Sequence, residues 1–209
     1  SEIIDNAVLS YVEPYASSAC EMVAEVLQYI GDDGIKIKPA EADAMYAGIV
    51  MDTNNFMNQA AVRTFEAASF LRRNGADVVR VRKLFRDRLE DYRARAEAIQ
   101  KAEIYHGAFA ISVCPSEGLE SPTVVGAQAA NELLDIVGIK ASFILTQMGD
   151  TIYFSARSID EINVQIIMER LGGGGHRTIA GAQLKGATID EAREKLKDLI
   201  TDMMEKGEI

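Results

Sequence analysis

Ala141-Ser-Phe-Ile-Leu-Thr-Gln147 and Thr151-Ile-Tyr-Phe-Ser-Ala-Arg157, separated by Met148-Gly149-Asp150, form the stretch on which the fold turns. Both runs are rich in β-branched and aromatic residues, and the glycine-containing link between them is hairpin chemistry. On a period of two, Ile152, Phe154 and Ala156 share one face of the second strand, while Tyr153, Ser155 and Arg157 share the other. The apolar face needs a cover, and the flanking sequence supplies helices for it. Ser121-Pro122 is a cap and first-turn pair for a helix running to about residue 137. A helix is expected over 163–171, and Thr188-Ile-Asp-Glu191 opens a terminal amphipathic helix with a capping box. With further strands expected over 108–113 and 178–184, residues 102–209 read as an α+β lobe in which helices pack on a mixed sheet.

Upstream, the composition shifts from strand-rich to helix-rich. Val78, Val81, Phe85, Leu89, Tyr92, Ala96 and Ile99 recur at three- and four-residue steps, which predicts one long amphipathic helix over 77–101 as a connector between two lobes. Residues 7–12 read as a short buried strand, broken by Glu13-Pro14 before a helix over about 18–30. A turn at 31–34 precedes Pro39 at a first helical position and a mostly apolar helix over 40–51. A further helical pattern over 58–73 closes in Asn74-Gly75. The expected class is α/β: a parallel-sheet lobe in residues 1–77, a connecting helix in 78–101, and the α+β lobe in 102–209.

The chain carries 22 Lys and Arg against 32 Asp and Glu, a net charge of -10, which argues against wrapping long nucleic acid. A phosphate ligand therefore requires a local positive site, built from placed Arg or Lys residues, backbone N–H groups or metal ions. No window approaches the roughly 18 uninterrupted apolar residues of a membrane span. Residues 1–20 carry neither a basic leader nor an apolar signal segment, so a soluble region is expected. Cys20 and Cys114 have no CxxC partner or neighbouring His, which points away from a disulfide framework or a zinc site and toward a reducing, cytoplasmic setting.

The strongest chemical signal is Leu171-Gly-Gly-Gly-Gly-His176-Arg177. One left-handed glycine suffices to end a helix, so Gly172, Gly173, Gly174 and Gly175 exceed that need. Such a run lets backbone N–H groups turn toward one anion, with His176 and Arg177 adding donors. The competing account is a tight helix-to-strand crossover beneath another element. Arg157 offers a guanidinium suited to phosphate, although a strand arginine is as readily a solvated one. In the first lobe, Asp52 ends an apolar helix and is a candidate ligand for a hard divalent cation; it can equally open a turn or cap the next helix. Ser18-Ala-Cys-Glu21 is a capping box, and His106 beside Gly107 is a surface residue with no triad partners.

Taken together, Tyr15-Ala-Ser-Ser-Ala-Cys-Glu21, Met51-Asp-Thr-Asn-Asn-Phe56, Gly118-Leu-Glu-Ser-Pro-Thr-Val-Val-Gly126, Ser155-Ala-Arg-Ser158 and Gly172 to His176 resemble the DHH phosphoesterase superfamily. Residues 65–86 and 121–130 are most similar to its GdpP-type cyclic-di-AMP phosphodiesterases, rather than to RecJ nucleases or nanoRNases. The resemblance implies that residues up to about 77 are the back half of a DHH domain and that 102–209 are the DHH-associated substrate-binding domain, with the cleft between them. It implies a two-manganese hydrolase acting on cyclic di-AMP to give 5'-pApA. Asp52 then matches a late metal ligand, and Arg157, Gly172 to Gly175 and His176 match substrate-holding positions. The early metal ligands and the Asp-His-His triplet are expected to precede residue 1. A single matching ligand cannot hold two ions, so the chain by itself is expected to be inactive. The resemblance also implies a membrane-anchored parent with this region facing the cytoplasm and making no membrane contact. Exposed sheet edges make a homodimer conceivable. Two other readings stay open: hydrolysis of short oligonucleotides or pApA, and a module that binds nucleotides without cleaving them.

Overall fold

A computed structural model describes residues 7, 8, 10–30 and 35–209, and the chain divides into two compact units, Ser1–Arg86 and Asp87–Ile209. The turn expected over 31–34 lies outside the described residues.

The described part of the first unit contains four helices: α1 (Ala19–Ile30), α2 (Pro39–Asp52), α3 (Val62–Arg73) and α4 (Val78–Leu84). Ala24, Ala42, Ile49, Ala67, Leu71 and Ala76 make its core. The prevalence of alanine there lets helices approach closely, and at Gly48 a Cβ would collide with the Cys20 side chain. Two ion-pair systems tie the unit together. Arg63 Nε donates to Glu25 at 2.7 Å and its Nη1 lies 3.3 Å from Glu13, while Arg80 Nε donates to Asp43 at 2.6 Å. The strand expected over 7–12 is absent among the described residues: Val8, Tyr11 and Val12 are exposed and belong to no strand pair, and Leu9 lies outside the described residues. A parallel strand holds only where neighbours satisfy its backbone groups and both faces are covered. No described residue of this unit lies in a strand, and the parallel sheet expected here does not appear among the described residues.

The connector is two helices rather than one. α4 stops at Phe85, and α5 (Leu89–Gln100) begins after Arg88. The charge order shows why. Arg82 and Lys83 occupy the last turn of α4 and Glu90 and Asp91 the first turn of α5, each set matching the dipole of a helix end. Asp77 caps α4, accepting from the N–H groups of Val79 and Arg80 at 2.7 and 2.9 Å.

The second unit holds a six-stranded mixed sheet in the order β1-β2-β3-β4-β6-β5. Its strands are β1 (Glu103–Tyr105), β2 (Phe109–Cys114), β3 (Ala141–Met148), β4 (Thr151–Ser158), β5 (Gly174–Gly175) and β6 (Ile179–Lys185). β2 and β3 run parallel through a crossover that contains α6 (Pro122–Leu133), and every other pairing is antiparallel. The β3–β4 hairpin forms as the sequence predicts, with Met148 opposite Thr151 and Gly149 at φ +61. α7 (Val164–Arg170) and α8 (Ile189–Glu205) cover the face carrying Phe143, Leu145, Ile152, Phe154 and Ala156. α5 and α6 cover part of the other face, around Ala110, Ile144 and Leu133. On that side Ser112 and Ser142 are buried but satisfied, donating to carbonyls of Ala98 at 2.5 Å and Ala130 at 2.6 Å. α6 lies close to β3 because residue 126 is glycine: a Cβ there would sit 2.6 Å from Thr146 Oγ1 and 3.2 Å from Ile144 Cγ2. Among the described residues no helix is long and apolar enough to cross a membrane.

Candidate functional site

The glycine run begins where α7 ends. Gly172 adopts φ +80, and the N–H groups of Gly172 and Gly173 donate back to Glu169 and Met168 at 2.9 Å each, closing the helix. Gly173 and Gly175 are required for a different reason. A Cβ on Gly173 would lie 2.6 Å from Ala182 Cα, and one on Gly175 would lie 2.5 Å from Ala180 Cα, so both backbones press directly onto β6. Only Gly174 lacks such a demand. It has no left-handed φ, and a Cβ there meets nothing within 4 Å. Three of the four glycines thus serve the crossover, and one is surplus to the fold.

The donors differ from the sequence expectation in the same way. His176 N–H donates to Ile179 at 2.7 Å and Ile179 N–H returns to His176 at 3.2 Å, making a tight turn, so the amides of residues 172, 173 and 176 are already engaged. The amides of Arg177 and Thr178 have no acceptor among the described residues. The Arg177 guanidinium is held by Asp160, with Nε 2.9 Å from Oδ1 and Nη2 2.9 Å from the carbonyl oxygen. His176 is exposed, and its ring meets no hydrogen-bond partner among the described residues.

Arg157 lies at the end of β4, opposite Ile179 in the register, and Ser158 N–H donates to Thr178 at 3.0 Å. Arg157 and the His176 turn are therefore neighbours across one strand pair. The guanidinium is half-buried, and burial alone lowers its pKa from the ordinary arginine value. Its Nε donates to Asn131 Oδ1 on α6 at 3.0 Å and its Nη1 to its own Ala156 carbonyl at 2.9 Å. Among the described residues no carboxylate pairs with it. A partly desolvated cation without a counter-charge is costly unless an anion completes it. Asn131 was invisible to sequence reasoning, because nothing in a helix amide announces an arginine on a strand 26 residues away.

Along the same sheet, a cavity of about 370 Å³ is lined by Tyr153, Phe154, Gly172, Gly173, Gly181, Ala182 and Gln183. It joins the glycine turn to the β4–β6 pair, where Tyr153 lies opposite Gln183 and Ser155 opposite Gly181.

In the first unit, Asp52 is the exposed last residue of α2. The anchor of the following turn is Thr53, fully buried, whose Oγ1 donates to Ile49 at 2.7 Å and accepts from Phe56 N–H at 2.9 Å. Asn54, Asn55 and Phe56 then hold φ of +46, +59 and +63, a run of left-handed residues rare outside glycine. Phe56 is clamped between Tyr46, at 6.1 Å edge-on, and Phe65, stacked at 5.3 Å. That packing fixes a strained turn immediately after the carboxylate. The Cys20 thiol is pushed up by burial and, second, by the Asp52 charge. Among the described residues no three His, Cys, Asp or Glu side chains gather as a metal site. The donors present around Asp52 do not fit a two-ion centre by themselves.

Residues 108–202 match the DHHA1 domain. Over 207 residues, 99% of this chain, the sequence is 44% identical to the cyclic-di-AMP phosphodiesterase GdpP of Geobacillus thermodenitrificans. It is 43% identical over 208 residues to the cyclic-di-AMP phosphodiesterase PdeA of Listeria monocytogenes. In each case the chain spans 31% of the relative's length. An exopolyphosphatase-related protein from Bacteroides fragilis shares the fold, with TM-score 0.81 and 20% identity over 96% of this chain and 61% of the other. The second unit is built around the region that matches the DHHA1 domain.

Proposed function

We propose that this chain is the nucleotide-holding part of a divalent-metal phosphodiesterase that hydrolyses cyclic di-AMP to 5'-pApA. Manganese is the metal we assign to the longer protein. In that reaction water adds to one phosphorus, one P–O3' bond breaks, and the freed 3' oxygen leaves as a hydroxyl. The described residues of this chain do not supply the ion-binding set, so its own task is to bind and orient. Arg157 meets a phosphate oxygen with the N–H groups that Asn131 and Ala156 leave free. Gly174 keeps the approach open where any side chain would intrude, and His176 stands at the adjacent turn as a further donor.

The observation that carries this reading is the half-buried Arg157 guanidinium, without a carboxylate partner, beside the glycine turn. The 44% identity with a cyclic-di-AMP phosphodiesterase supports the choice of substrate. Calorimetric titration of the chain with 5'-pApA tests it. Arg157→Ala is expected to weaken binding by about 10- to 100-fold, the range of a charge-assisted hydrogen bond. Gly174→Ala is expected to weaken binding with no loss of thermal stability. Wild-type affinity in both variants would overturn the site. The chain with added manganese is expected not to turn over cyclic di-AMP, and steady turnover would refute its role as a holding part only.

A further inference from the structure

The cavity beside the glycine turn has the features of a base-binding slot, an inference that rests on the phosphate-holding reading above. Tyr153 and Gln183 are directly opposed across the β4–β6 pair, so their Cβ atoms stand about 5 Å apart on one face of the sheet. Ser155 and Arg157 follow on that same face. Beside Gln183 the floor is bare backbone, because Gly181 has no side chain and a Cβ there would lie 2.9 Å from the Phe154 carbonyl oxygen. The slot therefore has a flat floor, one aromatic face and one primary amide. Among the described residues neither the Tyr153 hydroxyl nor the Gln183 amide has a hydrogen-bond partner, although Tyr153 is half-buried. Four residue steps along the strand, roughly 13 Å, separate Tyr153 from Arg157. A nucleotide can bridge that span with its phosphate on the guanidinium and its base against the tyrosine ring.

We propose that Tyr153 and Gln183 form a purine pocket that selects adenine. The Tyr153 ring stacks on the base, as aromatic platforms do for nucleobases. The Gln183 amide, one donor group and one acceptor, matches the exocyclic amino group and the adjacent ring nitrogen of adenine. Guanine presents a carbonyl and two donors on its Watson–Crick edge, a pattern that a carboxylate meets better than an amide.

Calorimetry with 5'-pApA and 5'-pGpG on the wild-type chain, Gln183→Glu and Tyr153→Leu tests the assignment. The wild type is expected to prefer 5'-pApA by about tenfold or more, the scale of one bidentate base contact. Gln183→Glu is expected to shrink that preference at least tenfold, through weaker 5'-pApA and stronger 5'-pGpG binding. Gln183 is exposed, so its melting temperature stays unchanged. Tyr153→Leu is expected to weaken both ligands by about tenfold while keeping their ratio, since stacking tolerates any base. An unchanged ratio in Gln183→Glu, or unchanged affinities in Tyr153→Leu, overturns the purine pocket while the Arg157 site stands. Failure of the wild type to bind either dinucleotide overturns both.

Discussion

Alanine substitution at two adjacent glycines separates the parts of the turn that the fold needs from the part that it does not. At residue 173 a new methyl group would lie 2.6 Å from Ala182 Cα and 2.7 Å from Ala182 Cβ, and closer still to the Gly181 carbonyl oxygen. These are mostly backbone atoms of β6, so relief requires the segment that leads into the edge strand β5 to lift from β6. Overpacking of this kind costs about 3 kcal/mol, the upper part of the range for inserted methyl groups. For a domain of this size that corresponds to a melting temperature lower by roughly 8–12 °C. At residue 174 the methyl group meets open space and the backbone is not left-handed. The substitution restricts the unfolded chain instead, which stabilises by about 0.5 kcal/mol. Thermal unfolding followed by far-ultraviolet circular dichroism on both variants reads the difference. Equal losses at 173 and 174, or a neutral Gly173→Ala, would refute the assignment of these glycines.

Two further outcomes concern stability. Thr146 Oγ1 is buried beneath α6 with no hydrogen-bond partner among the described residues, so Thr146→Val is expected to leave stability unchanged or raise it by up to about 1 kcal/mol; a loss above that size in chemical denaturation would show that the hydroxyl is satisfied in solution. Hydrogen bonds from Arg63 and Arg80 hold the Glu25 and Asp43 carboxyls below the usual carboxylate range. Their contribution is complete above the unfolded values of about 4 and is lost as pH falls through the lower folded ones. The melting temperature is therefore expected to be flat from about pH 7 to 5 and to fall on further acidification. The fall should be shallower in Arg63→Gln/Arg80→Gln, and an identical acid profile in that double variant would contradict the argument.

The sheet was legible where two signals coincided. Alternation through 141–157 and a glycine at the turn left one reading for β3 and β4, and Thr188 with Glu191 fixed the start of α8. β1 was not legible, because three residues, of which Glu103 and Ile104 are exposed and Tyr105 half-buried, carry no period, and only the left-handed His106-Gly107 turn betrays it. The connector misled because apolar spacing continues through Phe85 and Leu89, whereas the dipole-matched charges at 82–83 and 90–91 carried the break. The strand expected at 7–12 does not appear among the described residues, because a short apolar run does not by itself supply the pairing partner that a strand needs. Counting glycines singled out residues 172–175 but did not distinguish their structural roles. Contact with β6 separates Gly173 and Gly175 from Gly174, and that contact is tertiary.

Gly126 acts as a depth gauge for the helix that carries Asn131. Five residues, or about 7.5 Å of helix, separate the point where α6 touches β3 from the amide that receives the Arg157 Nε–H. Any side chain at 126 would raise that helix off the sheet and swing the amide with it, leaving the guanidinium free to rotate. The aim of Arg157 is thus calibrated by the missing methyl of a residue five positions along the helix from its partner amide, and substitution at 126 is expected to loosen the Arg157–Asn131 contact before it costs the fold.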